Sequence, residues 1–262
     1  MVVRRIREHV TAHNWFAVGI DLAIVVLGVL IATQVSNWNE SRIEAAQGRD
    51  YRQRLVRELD FNARQYREQH RYYSLVLKHG LAAVAALDAG ADLVPRDFLI
   101  DAYQLSQIDT TPPKTYIYDE MVSSGLVSRL GDETIQDIAS DYYLGIGSMD
   151  RPIREILPYR DAIRAVMPFA IQSAIRRRCG DRLVFFERRI VGVSLPDHCD
   201  AVFDRAGAER AVGLIRARPG LREEMTRYVA SVDEKLGALR VNADETRRVL
   251  ARMQGAQQSP SA

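Results

Sequence analysis

The stretch WFAVGIDLAIVVLGVLIATQV, residues 15 to 35, constrains this chain more than any other. Nothing else in the sequence is apolar enough to leave water for a lipid bilayer. As a helix it would rise about 31 Å, close to the ~30 Å of a hydrocarbon core. Asp21 lies inside the run, and a carboxylate at mid-bilayer costs roughly 2.5 to 3.5 kcal/mol, less toward an end. Eleven residues from Phe16 to Ile31 that are Phe, Val, Ile or Leu offset this by roughly 5 kcal/mol in sum. Trp15 and Trp38 bracket the run, and indoles favour the two headgroup levels. The reading is a transmembrane anchor over residues 15–38. A signal peptide would need small residues before its cut, and no A-x-A pattern appears around Ile31-Ala32-Thr33. A buried core helix would not need tryptophans spaced like a membrane girdle.

Arg4, Arg5 and Arg7 precede the anchor, while Arg42, Arg49, Arg52 and Arg54 follow it, so local charge counting is close to a draw. A long downstream domain, however, translocates largely regardless of its charge. The expected topology is therefore that of a single-pass membrane protein with its amino terminus in the cytoplasm. Residues 1–14 form a cytoplasmic leader, residues 39–253 a helical domain on the far side of the membrane, and residues 254–262 a disordered tail. The lipid bilayer is the first expected partner.

Within the anchor, Asp21, Gly28 and Ala32 fall within roughly 40° of one another at 100° per residue. Small residues at this spacing let helix backbones approach, and a polar residue beside them can hydrogen-bond a neighbour. The stripe is the expected face for association with a second copy or a membrane partner. The blander alternative is a carboxyl that snorkels to the headgroups beside incidental small residues.

Two cysteines, Cys179 and Cys199, both follow the anchor. In an oxidising compartment they would pair; free thiols, or a metal site using His198 beside Cys199, are the alternatives. The paired C-x2-C spacing of a zinc site is missing, and no metal or other cofactor is expected. A net charge of +2 leaves no nucleic-acid footprint. Of 36 basic residues only Lys78, Lys114 and Lys235 are lysine, a bias that suits phosphate binding but that a GC-rich genome explains as well.

Beyond Trp38 the pattern is helical. Leu55, Leu59, Asn62, Tyr66, Gln69, Tyr73 and Val76 advance in three- and four-residue steps. They predict an amphipathic helix to about residue 89, with Gly48 as a soft point, forming one wall of a bundle. DTTPPKT, residues 109–115, is a loop. Ile135 to Ile156 keeps a helical rhythm that restarts near Asp150 at Pro152, and Asp132 is positioned to cap it. RLVFFERRIVGVSL, from Arg182, predicts a short β-hairpin. After Pro219 a long helix carries Leu221, Met225, Tyr228, Val232, Leu236, Leu239, Val249 and Met253 on one face. The fold class is mainly α: a transmembrane helix continued by a long amphipathic one, and a helical bundle with a β-hairpin insertion.

No glycine-rich phosphate loop, G-x-S-x-G elbow or H-E-x-x-H motif is present. His9 and His13 have i, i+4 spacing, but Glu8 precedes them, and an interfacial leader accounts for both. Asp197-His198-Cys199-Asp200 has suitable residue types without a catalytic geometry, and no catalytic residue is assigned. The tyrosines, interleaved with arginines, would be core with hydroxyls at its edge, or would line a ligand groove.

LGVLIATQVSNWNE, ending in Asn37-Trp38-Asn39-Glu40, resembles the anchor phrase of a group of bacterial single-pass membrane proteins of unknown function. Asp119 to Gly125, Leu130-Gly131-Asp132 and Asp141-Tyr142-Tyr143 are similar to that group's second recurring phrase. Ser36 stands where the phrase usually has asparagine, and the segment from Cys179 to Cys199 lies outside the likeness. The resemblance implies a membrane anchor with a helical outer domain and carries no activity. With that likeness the expected protein is a bacterial inner-membrane, single-pass one whose residues 39–253 form a periplasmic domain, in a non-catalytic interaction or scaffolding role with envelope components. The competing class is a ligand-sensing helical bundle that signals through a membrane partner.

Overall fold

The computed structural model describes residues 15–131 and 133–255, with side chains from residue 19 onward other than that of residue 91. The leader 1–14 with His9 and His13, the Asp132 cap and the tail from residue 256 lie outside the described residues. Gln254 and Gly255, expected in the tail, instead belong to the last helix.

The long helix α1, Trp15–Asp88, passes Gly48 without interruption. Two compact units divide the chain, one ending at Tyr51 and the other beginning at Arg52. In the first, the stretch from Ile20 to Ile31 is apolar on every side but for Asp21: Ile20, Leu22, Ile24, Val25, Leu27 and Ile31 are all exposed. It is long and apolar enough to cross a membrane, and none of its apolar window is buried.

The second unit is a helical bundle. After α1 come α2 (Pro95–Leu105), α3 (Tyr116–Ser123), α4 (Glu133–Met149), α5 (Arg151–Arg154), α6 (Tyr159–Val166) and α7 (Phe169–Cys179). Strands β1 (Arg182–Phe186) and β2 (Arg189–Ser194) pair antiparallel, and helices α8 (Arg205–Ala217) and α9 (Leu221–Gly255) complete it. Prolines set several starts, since a residue without an N–H loses nothing in a first turn: Pro95 and Pro152 occupy first turns, and Pro158 and Pro168 immediately precede α6 and α7. Asp204 caps α8 by accepting from Gly207 N at 2.6 Å.

The core joins α1 to α9. Arg222 pairs with Asp88, Gly80 faces Val229, and the Lys235 ammonium lies 6.0 Å from the Tyr73 ring centroid. Numbers rise on one helix as they fall on the other, so the two run antiparallel. Gly80 permits the approach, because a Cβ there would lie 2.6 Å from Leu105 and 2.8 Å from Val229. Every apolar position expected on the α9 face is buried.

The long-helix stripe is buried at all seven expected positions, Asn62 and Gln69 included. These two amides do not interrupt the packing, because the 109–115 loop lies on them. Consecutive prolines supply no N–H donors, so several of that loop's carbonyls must be served from elsewhere. Gln65 and Gln69 both donate to Thr111 O at 2.9 Å. Asn62 donates to Lys114 O and accepts from Lys114 N, both at 2.8 Å. Glu58 accepts from Ile117 N at 3.0 Å, serving an orphan donor of the first turn of α3, and from Tyr143 OH at 2.8 Å.

The α4–α5 junction holds a charge in an unfavourable place. Asp150 is 1% exposed. Arg154 Nε approaches one carboxylate oxygen to 3.0 Å without the alignment of a hydrogen bond, and neither oxygen has a hydrogen-bonding partner. Burial pushes the carboxyl up from 3.8 to about 6, Arg154 only partly opposing it. A raised carboxylate favours folding while protonated and loses that advantage as pH climbs through the folded value. Between pH 4 and 7 the wild type should therefore lose about 2 kcal/mol relative to Asp150→Asn. Urea unfolding midpoints of both proteins across that range would measure it; parallel curves would refute it.

Candidate functional site

Two places can do more than hold the fold, one in each unit. In the first unit, Asp21, Gly28 and Ala32 are exposed on α1, and the helical period keeps them on one face. A Cβ at Gly28 would meet nothing within 4 Å, so the stripe stays open to a second helix. Trp38 is exposed, with the Arg42 guanidinium 5.7 Å from its ring centroid. Trp15 begins the described helix.

In the second unit, Cys179 and Cys199 form a disulfide with Cα atoms 5.3 Å apart. The thiol and metal alternatives are excluded for this pair, and Cys199 is no nucleophile. Among the described residues, no group of three or more His, Cys, Asp and Glu side chains could hold a metal ion. The disulfide joins the end of α7 to the segment after β2, closing the hairpin into a loop. Closing about 20 residues stabilises by about 3 kcal/mol in the chain-entropy model. A reducing agent should lower unfolding stability by that amount; a midpoint unchanged by dithiothreitol would contradict it.

Beside the disulfide lies a cleft of about 380 Å3, walled by Tyr103, Gln107, Arg160, Arg164, Arg176 and Asp181. Arg160 and Arg164 stand at i, i+4 on α6, both reaching the carboxy end of α2. Arg164 Nε donates to Ser106 Oγ at 3.0 Å and its Nη2 to Gln107 Oε1 at 2.8 Å. Its guanidinium lies 4.8 Å from the Tyr103 ring centroid. Arg160 donates to Ser106 O. The turn at Met167-Pro168 brings α7 and Arg176 to the same opening, held by Gln172, which donates to Arg164 O and Met167 O at 2.7 Å. Asp181 accepts from Tyr72 OH at 3.2 Å.

The electrostatics are lopsided. Arg164 is pulled below its ordinary value by burial and by the charges of Arg160 and Arg176. Asp181 is pushed up by burial and by Asp109, while its Tyr72 hydrogen bond and Arg160 and Arg164 pull the other way. Neighbouring Arg154 and Arg178 have carboxylate partners in Asp150 and Asp200. None of the three cleft arginines is ion-paired among the described residues. The sequence reading missed this group; its only trace was an unpaired i, i+4 arginine couple in a short helix.

Of the tyrosines, Tyr103 walls this cleft, and most of the others belong to the core. Tyr66, Tyr72, Tyr73, Tyr103, Tyr142, Tyr143 and Tyr159 are buried, and several spend their hydroxyls on the fold, as Tyr142 does on Thr246 and Tyr159 on Ala102 O. Tyr116 is exposed. No family model, curated protein or solved structure matches this chain.

Proposed function

We propose that this chain is a single-pass protein of the bacterial inner membrane, amino terminus in the cytoplasm. In this reading its helical domain lies in the periplasm and has a non-catalytic interaction or scaffolding role. The observation that carries the reading is the exposed apolar surface of α1 from Ile20 to Val35. A helix apolar on every side is stable where lipid covers it, not water. The disulfide supports an oxidising compartment for the second unit, and the likeness of the N-W-N-E phrase supports the same placement. The open Asp21, Gly28 and Ala32 stripe supports association through the anchor with a second copy or a membrane partner.

The test is topological. The full chain should sediment with membranes, resist high-salt extraction and dissolve only in detergent. A tag at residue 262 should be reached by protease in spheroplasts without lysis. A chain that stays in solution without detergent, or a tag reached only from the cytosol, would end the proposal. A second reading, ligand sensing through a membrane partner, is supported by the arginine cleft beside the disulfide.

A further inference from the structure

We propose that the cleft walled by Arg160, Arg164 and Arg176 binds the phosphate group of a small molecule or of a lipid headgroup. The inference deepens the ligand-binding reading of that cleft and does not depend on where the membrane lies.

The first argument is charge. Three guanidiniums converge on an opening that has one carboxylate, Asp181. The carboxy end of α2 offsets at most about half a charge more. Between one and two positive charges remain uncompensated, and Arg164 already registers the repulsion of the other two. A phosphate monoester, with about −1.5 to −2 charges and three acceptor oxygens, neutralises that charge, and the singly charged phosphodiester of a lipid headgroup offsets the larger part of it.

The second argument is preorganisation. Arg164 is clamped by Ser106 and Gln107 and laid against Tyr103, and Arg160 is tied to Ser106 O. Each guanidinium has five N–H donors; two of Arg164's and one of Arg160's are taken, so both keep donors free. Arg176 is exposed, and its guanidinium makes no hydrogen bond among the described residues and lies 5.9 Å from the Phe169 ring centroid. Two fixed forks and one free arm are the parts that phosphate recognition uses, since planar guanidinium donors match phosphate oxygens in pairs.

The third argument is size. A cavity of about 380 Å3 admits a headgroup or a phosphorylated small molecule and lies within the span of small-molecule sites.

The experiment is calorimetric titration of the detergent-solubilised full chain at constant ionic strength. Inorganic phosphate, dihexanoyl phosphatidylglycerol and dihexanoyl phosphatidylcholine are the probes, with chloride as the reference anion. The expected result is saturable binding of inorganic phosphate or of phosphatidylglycerol, weakened about tenfold by Arg176→Gln, as loss of one charge-assisted contact predicts. Arg176 is exposed, so this variant folds, and an unchanged circular dichroism spectrum checks that. Phosphate binding identifies a soluble ligand, and binding of phosphatidylglycerol alone identifies a headgroup. Heats no different from chloride for every probe, or equal affinities in Arg176→Gln and wild type, overturn the site. Neither result bears on the topology test.

Discussion

Lys235→Met should lower stability by about 4 kcal/mol, enough to move the melting temperature of a domain this size down by roughly 8 to 16 °C. Lys235 is 1% exposed on α9. Its ammonium donates to the carbonyls of Pro152, Ile153 and Glu155, at the end of α5, where a four-residue helix leaves its last carbonyls without helical partners. Burial draws the amine down from 10.5 to about 8, with Glu155 and Glu234 opposing, so it remains a cation at pH 7. Methionine matches the stem but donates nothing, leaving three carbonyls without this donor. Thermal unfolding followed by circular dichroism reads the effect, and a loss under about 1 kcal/mol would mean that water reaches those carbonyls.

The second large effect belongs to Asn62. Asn62→Leu keeps the volume and removes both hydrogen bonds to Lys114, stranding a backbone donor and acceptor, at a cost of about 3 kcal/mol. Asn62→Asp should fall between, since a carboxylate still accepts from Lys114 N but cannot donate to Lys114 O. Gln69→Leu should cost only about 1 kcal/mol, because Gln65 also serves Thr111 O. Hydrogen exchange at residues 109–115 separates a detached loop from a general loss of stability: Asn62→Leu should speed exchange there first. An order in which Gln69→Leu is the worst of the three would refute the assignment.

Periodicity was enough to place α1 and α9, because every third or fourth apolar residue must face a core and the residues at that spacing do. It was enough for the restart at Asp150 and for the hairpin, where proline and β-branched residues speak locally. It placed Asn62 and Gln69 on the covered face without saying what covers them, and did not register Glu58 and Gln65, which are buried beside them. A period records which face is covered, not that a proline-rich loop covers it and demands amide donors. The arginine cleft was illegible for a related reason. Arg160 and Arg176 belong to different helices, and the turn at Met167-Pro168 brings them together. The disulfide was readable as one of three outcomes, and only the 5.3 Å approach of the two Cα atoms decides among them.

The antiparallel pairing of α1 with α9 bears on how such a chain is made. Asp88 and Arg222 are 134 residues apart, and at about 5 to 20 residues per second the second emerges roughly 7 to 27 s after the first. Until then Tyr66, Tyr73 and Val76 have no carboxy-terminal helix to lie against. A nascent chain stalled before residue 221 therefore presents a sticky aromatic ridge, and quality-control proteases would meet it as an unfinished product.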